Sequence, residues 1–264
     1  MKLENKLTML ISSCEAYSDL WNNHLNLLSE NWKDREIDVV IVTDKEHESP
    51  YADVRIFSAG DSVEMPQRLS RFLETCNTEY ILVTLDDYYV DKPIDSEKIK
   101  RAISMMDKFD LDYLRFWPYP HEKRKIDGVK NAYWIELEGN YKVNLYPAIW
   151  RKSFIEKTTR KELSAWEYEV TLTKIAKELN AKCAYSVNGE FHIVDVIRKG
   201  KLLHPAKKFL DSKGMKLDRE LISRNQEIKL DIMYYGKEIV PKHILKFAKK
   251  VLVKCGYKFI SDGI

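Results

Sequence analysis

Two adjacent aspartates, Asp86 and Asp87, end an apolar run, YILVTL, that has the composition of a buried strand. Open α/β sheets bind ligands where their strands end, at the carboxyl edge, so the position of the pair indicates a site. Two neighbouring carboxylates repel each other. A site that keeps both ionised usually supplies a hydrogen-bond donor or a divalent cation, and Mg²⁺ or Mn²⁺ on phosphate oxygens is a common solution. The alternative is that both side chains only cap the loop.

The segments before this pair alternate between short strand-like runs and helical patterns, which is the sequence form of β–α–β units with parallel strands. Three strands are predicted, at 7–12, 37–44 and 54–57. Helices are predicted at 19–32 and in the segment that carries Leu69, Phe72 and Leu73 on one face. The acidic pair ends the fourth strand of this series.

The pattern changes after residue 91. A helix is predicted near 96–108, and the aromatic-rich segments between Tyr113 and Trp150 have the composition of strands and loops of a mixed sheet. A further helix follows Ser164, and a last strand is predicted at 182–187. There is no internal repeat and no Gly/Ser linker, which favours one domain with two functional halves.

The segment from Thr78 to Tyr89 resembles the nucleotide-sugar site of GT-A fold glycosyltransferases, in which an apolar strand runs into a short acidic motif. The amino-terminal half agrees with that fold in order and spacing, and the resemblance covers roughly residues 7–200. More narrowly, the chain resembles bacterial transferases of capsule, lipopolysaccharide or exopolysaccharide assembly.

The resemblance implies a domain organisation. It implies a single α/β domain of GT-A (Rossmann-like) architecture over residues 1–200, with a mixed central β-sheet flanked by helices. Within it, residues 1–91 would form the nucleotide-sugar half and residues 92–200 the acceptor half. Residues 201–264 would form a basic helical extension at the carboxyl terminus.

The resemblance also implies roles for residues that follow the strands. The loop after the first strand would surround the base and ribose, an acid after the second strand would hydrogen-bond the base, and an arginine before the acidic strand would contact the nucleotide. The corresponding residues here are Ser12, Ser13 and Tyr17 in the loop, then Asp44, and Arg68 or Arg71.

The acidic motif departs from the family pattern. Tyr88 occupies the place where a DxD motif that begins at Asp86 has its second aspartate. If the motif instead runs from Leu85 to Asp87, Asp87 keeps the metal role and Asp86 turns toward the ribose. The resemblance implies Mn²⁺ or Mg²⁺ held by Asp87, with help from Asp86, on the diphosphate of the donor.

Two acids, Glu167 and Glu169, lie near the start of the helix after Ser164. Ser164 followed three residues later by Glu167 is a capping box, in which the glutamate bonds the backbone and does no chemistry. The resemblance implies another role, because in inverting members of the fold a carboxylate here removes the proton of the acceptor hydroxyl. Glu167 best matches that position. Glu169 is the second candidate, and a solvated helix face is its alternative.

Basic residues follow late in the same region. The resemblance implies that His192 reaches the metal and that Lys199 and Lys201 reach the diphosphate, where positive charge offsets the charge of the leaving group. The alternative is that all three are structural or exposed. The aromatic residues between Tyr113 and Trp150 would line an acceptor groove, since flat rings stack on sugars, or would fill the core.

The carboxyl-terminal 64 residues, 201–264, carry 15 Lys/Arg against 7 Asp/Glu. From Pro241 to Cys255, apolar residues share one helical arc and lysines occupy the opposite arc. This pattern is typical of a helix in an anionic membrane interface. The alternative is a terminal helix docked on the body with its lysines in water.

Composition excludes several classes of protein. With 44% apolar and 32% charged residues and only 9 Gly and 8 Pro, the chain is neither disordered nor of low complexity. No segment approaches the roughly 18–20 apolar residues of a membrane span, and the first residues do not form a signal peptide. We therefore expect a cytoplasmic protein, which would be peripheral on the inner face of the cell membrane if the carboxyl-terminal helix binds lipid. Four scattered cysteines without a CxxC pair argue against a zinc knuckle and disulfides.

The sequence thus predicts a metal-dependent glycosyltransferase that uses a nucleoside diphosphate sugar, with a UDP-sugar expected, and a lipid-linked saccharide acceptor. No nucleic-acid partner is expected. One competitor is a nucleotidyltransferase acting on sugar phosphates, which would normally carry a Gly-rich phosphate loop early in the chain, and none precedes Gly60. The other competitor is a non-enzymatic module that binds polyanions or membranes through the basic tail.

Overall fold

The computed structural model describes residues 2–49, 51–160 and 162–239. The chain divides into two compact units, Met1–Val194 and Asp195–Ile264. Within the described ranges, no helix combines the length and the apolar character that crossing a bilayer requires. The predicted amphipathic helix from Pro241 to Cys255 lies outside the described residues.

The first unit is built on one eight-stranded sheet with the order β3-β2-β1-β4-β8-β6-β9-β7, and β5 pairs separately with β10. The strands are β1 Leu7–Ser12, β2 Asp38–Thr43, β3 Val54–Ser58, β4 Tyr80–Leu85, β5 Tyr88–Val90, β6 Tyr113–Arg115, β7 Ala132–Trp134, β8 Ala148–Arg151, β9 Cys183–Ser186 and β10 Ile193–Asp195.

Strands β3, β2, β1 and β4 are parallel, so all four end at one carboxyl edge. Strand β8 is antiparallel to both β4 and β6, β9 runs parallel to β6, and β7 runs antiparallel to β9. The prediction of a mixed central sheet flanked by helices is confirmed. The carboxyl edge of the four parallel strands collects the segments that carry Ser13, Tyr17, Asp44, Asp86 and Asp87.

Five helices cover the sheet: α1 Trp21–Asn31, α2 Met65–Leu73, α3 Ser96–Phe109, α4 Lys152–Thr158 and α5 Ala165–Glu178. Local signals explain where several of them begin. Pro66 lies in the first turn of α2, where a missing N–H costs nothing. The Asp95 carboxylate caps α3, and Ser164 caps α5. A 3₁₀ helix, Glu15–Leu20, connects the loop after β1 to α1.

Alternate residues along each central strand enter two separate apolar clusters, one on each face of the sheet. On β1, Met9 and Ile11 join a cluster with residues of α1 and α3, whereas Leu10 joins a cluster with residues of α2, α4 and α5. Both faces are therefore covered, and ligands have access at the edges.

The second unit contains β11 Ile197–Arg198, β12 Lys201–Leu202, α6 His204–Ser212 and α7 Arg224–Ile239. The two strands form an antiparallel pair. The Arg198 guanidinium bridges Asp195 and Asp231, with N–O distances of 2.9 and 2.8 Å. Residues 201–239 contain α6 and α7, and the strand pair β11–β12 is one that the sequence did not indicate.

Candidate functional site

Asp86 is clamped at the end of β4. Its backbone amide donates to the Ser12 carbonyl at 3.3 Å, which extends the β1–β4 ladder by one residue. Its carboxylate accepts a short hydrogen bond from the Ser13 hydroxyl, and the same hydroxyl accepts from Trp21 Nε1 at 2.7 Å. Only 7% of Asp86 is exposed. The donors on β1 and α1 therefore fix one orientation of this carboxylate.

The electrostatics of Asp86 reflect its burial, which raises the pKa of its carboxyl to about 7 against the opposing hydrogen bonds of Ser13 and the Asp87 amide. His24 lies on the other side of the same residue and bonds the Asp86 carbonyl through Nδ1 at 3.0 Å. Burial lowers the pKa of His24 to about 4. Because a carbonyl only accepts, the neutral ring carries its proton on Nδ1.

Asp44 and Arg68 complete the charged cluster at this edge. Asp44 follows β2 and accepts from the Glu15 amide at 2.7 Å and from the Thr43 hydroxyl at 3.2 Å. Burial raises the pKa of Asp44, but these hydrogen bonds, with the positive charge of Arg68, outweigh burial and leave the pKa below its usual value. Arg68 acts in the same direction on Asp86. Its side chain is anchored on the Val63 carbonyl at 2.6 Å.

The strand register brings the start of β8 to the same edge. Val83 of β4 pairs with Ala148 in an antiparallel register, so the residues before Ala148 run alongside those after Val83. Tyr88 stacks on Tyr146 with a centroid distance of 5.4 Å, and Trp117 stacks on Tyr146 at 5.0 Å. Three aromatic rings thus form one stack that includes Tyr88, the residue after Asp87.

Helix α5 is tied to this edge through Glu169. The Leu145 amide donates to Glu169 Oε1 at 3.4 Å, and burial raises the pKa of this glutamate. Because Leu145 lies three residues before Ala148, this contact fixes the amino-terminal turns of α5 close to the carboxyl end of β4. Glu167 is about 3 Å nearer the helix start along its axis.

Glu167 forms the predicted capping box. Its Oε2 atom accepts from the Ser164 amide at 2.9 Å and from the Ser164 hydroxyl at 2.7 Å. Hydrogen bonds from this serine lower the pKa of Glu167. The Oε1 atom makes no hydrogen bond with the part of the chain that the structure describes. The cap therefore orients the carboxylate and leaves one oxygen available to a substrate.

No protein-family model and no curated protein matches the chain. Among solved structures, it is similar to S. aureus TarS 1–349 in complex with UDP-GlcNAc, with 16% identity, a TM-score of 0.52, and coverage of 75% of this chain and 60% of that one. The chain has a GT-A-like fold. It spans about three fifths of the TarS chain.

Two further solved structures are less similar in geometry. The mannosyltransferase PcManGT from Pyrobaculum calidifontis, in complex with GDP-Man and Mn²⁺, has 12% identity and a TM-score of 0.49, over 74% of this chain and 58% of that one. A cytidylyltransferase from Leptospira borgpetersenii has 13% identity and a TM-score of 0.45, over 88% and 95%.

The remaining predicted residues differ in their exposure and in their contacts. Tyr17 is half-buried in the 3₁₀ helix after β1. Arg71 is exposed and donates to the Ala59 carbonyl after β3, so Arg68 is the arginine whose charge acts on the acids. In the second unit, Lys199 is exposed and Lys201 pairs with Glu220 at 2.7 Å.

The metal prediction can be compared with the side chains present. The described ranges contain no group of three or more His, Cys, Asp and Glu that could hold a metal ion. A cation on a diphosphate, however, usually takes only one or two carboxylates from the protein and its other ligands from phosphates and water. Asp87 is half-exposed and fits that role better than the clamped Asp86. His192 is exposed, and its carbonyl accepts from the Asp91 amide at 3.4 Å.

Sequence reasoning missed two residues that hold the site together, Trp21 and His24. Both lie on the buried face of α1, where the periodic pattern identifies them only as core positions. Their polar atoms were the available signal, because a buried indole N–H or imidazole usually has a hydrogen-bond partner. The partners, Ser13 and Asp86, become neighbours only through the β1–β4 pairing.

Proposed function

We propose that this chain is a metal-dependent, inverting glycosyltransferase that moves a sugar from a UDP-sugar to a lipid-linked saccharide acceptor in the assembly of a bacterial surface polysaccharide. One observation carries the proposal. The clamped Asp86, the adjacent Asp87, Asp44 and Arg68 converge on the carboxyl edge of a GT-A-like sheet.

The donor would occupy the edge formed by β1, β2 and β4. Asp44 and the loop from Ser12 to Tyr17 would hold the base and ribose. Arg68 would contact the nucleotide, since its charge already faces the acids. Asp86 is held too rigidly by Ser13 for a mobile role, and it would accept a hydrogen bond from the ribose.

The divalent cation, Mn²⁺ or Mg²⁺, would be held by Asp87 together with the donor diphosphate. When bound, it neutralises negative charge on the leaving diphosphate. His192 would supply a further ligand, and Lys199 and Lys201 would add positive charge at the diphosphate. These three assignments rest on the family resemblance alone.

Glu167 would act as general base through its open Oε1 atom. It would take the proton of the acceptor hydroxyl while that oxygen attacks the anomeric carbon, opposite the leaving group. The bond from the anomeric carbon to the diphosphate oxygen breaks, the electron pair leaves with UDP, and the configuration inverts. The half-buried Tyr88 and Trp117, which both stack on the buried Tyr146, would position the acceptor ring by stacking.

Calorimetric titration with UDP-sugars and GDP-mannose, with and without Mn²⁺, tests the donor assignment. We expect Mn²⁺-dependent binding that Asp87→Asn removes. Asp127→Asn, a change at an exposed acid in a loop, serves as the matched control and should bind normally. Analysis of reaction products tests the class of reaction. Release of UDP supports sugar transfer, release of pyrophosphate supports nucleotidyl transfer, and the absence of any nucleotide binding supports a non-enzymatic module.

A further inference from the structure

A cavity lies at the edge of the sheet opposite the candidate site. It has a volume of about 380 Å³, and its lining includes Phe109, Arg124, Trp134, Ile135, Lys182 and Cys183. Cys183 is in register with Tyr113, Tyr113 with Trp150, and Trp150 with Ile81 near the amino end of β4. Asp86 follows the opposite end of β4, so the cavity is on the order of 20 Å from it.

The walls of this amino-edge cavity are aromatic. Phe109 closes α3 and Trp134 ends β7, and their rings meet edge to face with a centroid distance of 6.0 Å. Both side chains are half-buried, so part of each ring remains open to solvent. Aromatic surfaces of this kind pack against the C–H faces of sugar rings, whose hydroxyls stay hydrated.

The rim of the cavity is basic. The Arg124 guanidinium lies 5.4 Å from the centroid of the Trp134 ring, and it forms no ion pair with any residue that the structure describes. Its neighbours Lys123 and Lys125 are exposed, and the Lys108 ammonium lies 5.1 Å from the Phe109 ring. Lys182 is partly neutralised by Asp110 at 2.9 Å. An arginine without a carboxylate partner beside an aromatic wall favours an anionic ligand that also has an apolar face.

We propose that the amino-edge cavity binds an anionic saccharide. One sugar ring packs against Trp134 and Phe109, and its anionic group pairs with Arg124. The use of this site to hold a growing acceptor or product chain rests on the proposed transferase function, whereas the binding itself does not.

Calorimetry with three probes tests the proposal on the full chain: tetragalacturonate, neutral maltotetraose and inorganic tripolyphosphate. We expect tetragalacturonate to bind at least tenfold more tightly than maltotetraose. Trp134→Leu and Arg124→Gln should each weaken it by about threefold to tenfold. Arg55→Gln is the matched control, because Arg55 also lies over an aromatic ring, Phe72, but on β3 at the far side of the sheet. Arg124 is exposed, so its variant keeps the fold even if Trp134→Leu does not.

Three results would overturn the proposal. The first is equal affinity for tetragalacturonate and maltotetraose. The second is normal binding of tetragalacturonate by the Arg124→Gln variant. The third is that tripolyphosphate binds as tightly as tetragalacturonate and that Trp134→Leu has no effect. The last result would mean that charge alone is recognised. None of them bears on the donor site, which UDP-sugar titration of the same variants measures separately. Conversely, tetragalacturonate binding without any UDP-sugar binding would refute only the transferase proposal.

Discussion

Replacing Glu167 by Gln separates its two roles on α5. Glutamine still accepts hydrogen bonds from Ser164 through its amide oxygen, so the capping box and the helix start are preserved. What is lost is the proposed base, and removal of a general base typically lowers the rate by about 10² to 10⁴. We therefore expect kcat to fall by that factor, with an unchanged melting temperature and unchanged UDP-sugar affinity.

Ser164→Ala is the complementary change, because it removes the cap and keeps the carboxylate. Loss of a serine cap costs about 1 kcal/mol, which lowers the melting temperature by roughly 2–4 °C in a chain of this size. The Ser164 hydrogen bonds lower the pKa of Glu167, so their loss raises it. The base is active when ionised, and the acid limb of the kcat profile should therefore move to higher pH.

The assay is steady-state release of UDP in the presence of acceptor, together with calorimetry of the donor and a thermal melt for each variant. Glu169→Gln is the third member of the set, because Glu169 bonds the Leu145 amide and ties α5 to β8. If Glu167→Gln keeps kcat within tenfold of the wild type, Glu167 is only a cap and the assignment of the base is wrong. If Glu169→Gln alone then loses kcat with donor affinity intact, the base is Glu169.

Three further perturbations test the support of the site and the tail. In His24→Asn the amide keeps the hydrogen bond to the Asp86 carbonyl but does not titrate. The pKa of His24 is about 4 in the folded chain and 6.5 in the unfolded chain, so the folded state loses stability as the pH falls. Between pH 7 and 4, the free energy of unfolding measured in urea should therefore fall by about 3 kcal/mol more in the wild type than in the variant. Trp21→Phe removes the N–H that donates to the Ser13 hydroxyl, and calorimetry should show UDP-sugar binding weakened about tenfold. Normal affinity would show that the clamp on Asp86 is dispensable. Changing the four lysines at 242–250 to Gln should lower binding to vesicles that contain anionic lipid by on the order of 1,000-fold, at about 1 kcal/mol per lysine. Unchanged vesicle binding would show that this segment does not reach the membrane.

Sequence reasoning located β1 at its observed bounds and the other parallel strands within a residue or two, because strands buried on both faces are continuous apolar runs. Helices α3 and α5 were predicted through their periodicity, and Ser164 marked the start of α5. Strand β5 and helix α4 were missed, since segments this short have no usable period. The hairpin β11–β12 was missed for the same reason.

The candidate site was predictable where a charged side chain comes directly after a strand. Asp44 and Asp86 each come immediately after a buried strand, so sheet topology alone brings them to one edge. The choice between Arg68 and Arg71 was not available from spacing, because residues three apart share one helix face. It depends on the anchoring of each side chain, Arg68 on the Val63 carbonyl and Arg71 on the Ala59 carbonyl. The contribution of β8 to the site could not be predicted for another reason. It depends on an antiparallel pairing between segments about 65 residues apart in the chain.

The two aspartates differ because their neighbours differ, although the sequence presents them as a pair. Asp86 continues the β4 alternation into the interior, where Ser13, backed by Trp21, satisfies one carboxylate oxygen. Asp87, the next residue in the turn after β4, is half-exposed. A buried carboxylate that already accepts a hydroxyl and an amide proton gains less from a cation than an exposed one does, and a cation at Asp87 would in turn favour ionisation of Asp86. The clamp therefore fixes the geometry of the edge at Asp86, and the proposed cation would be held at Asp87.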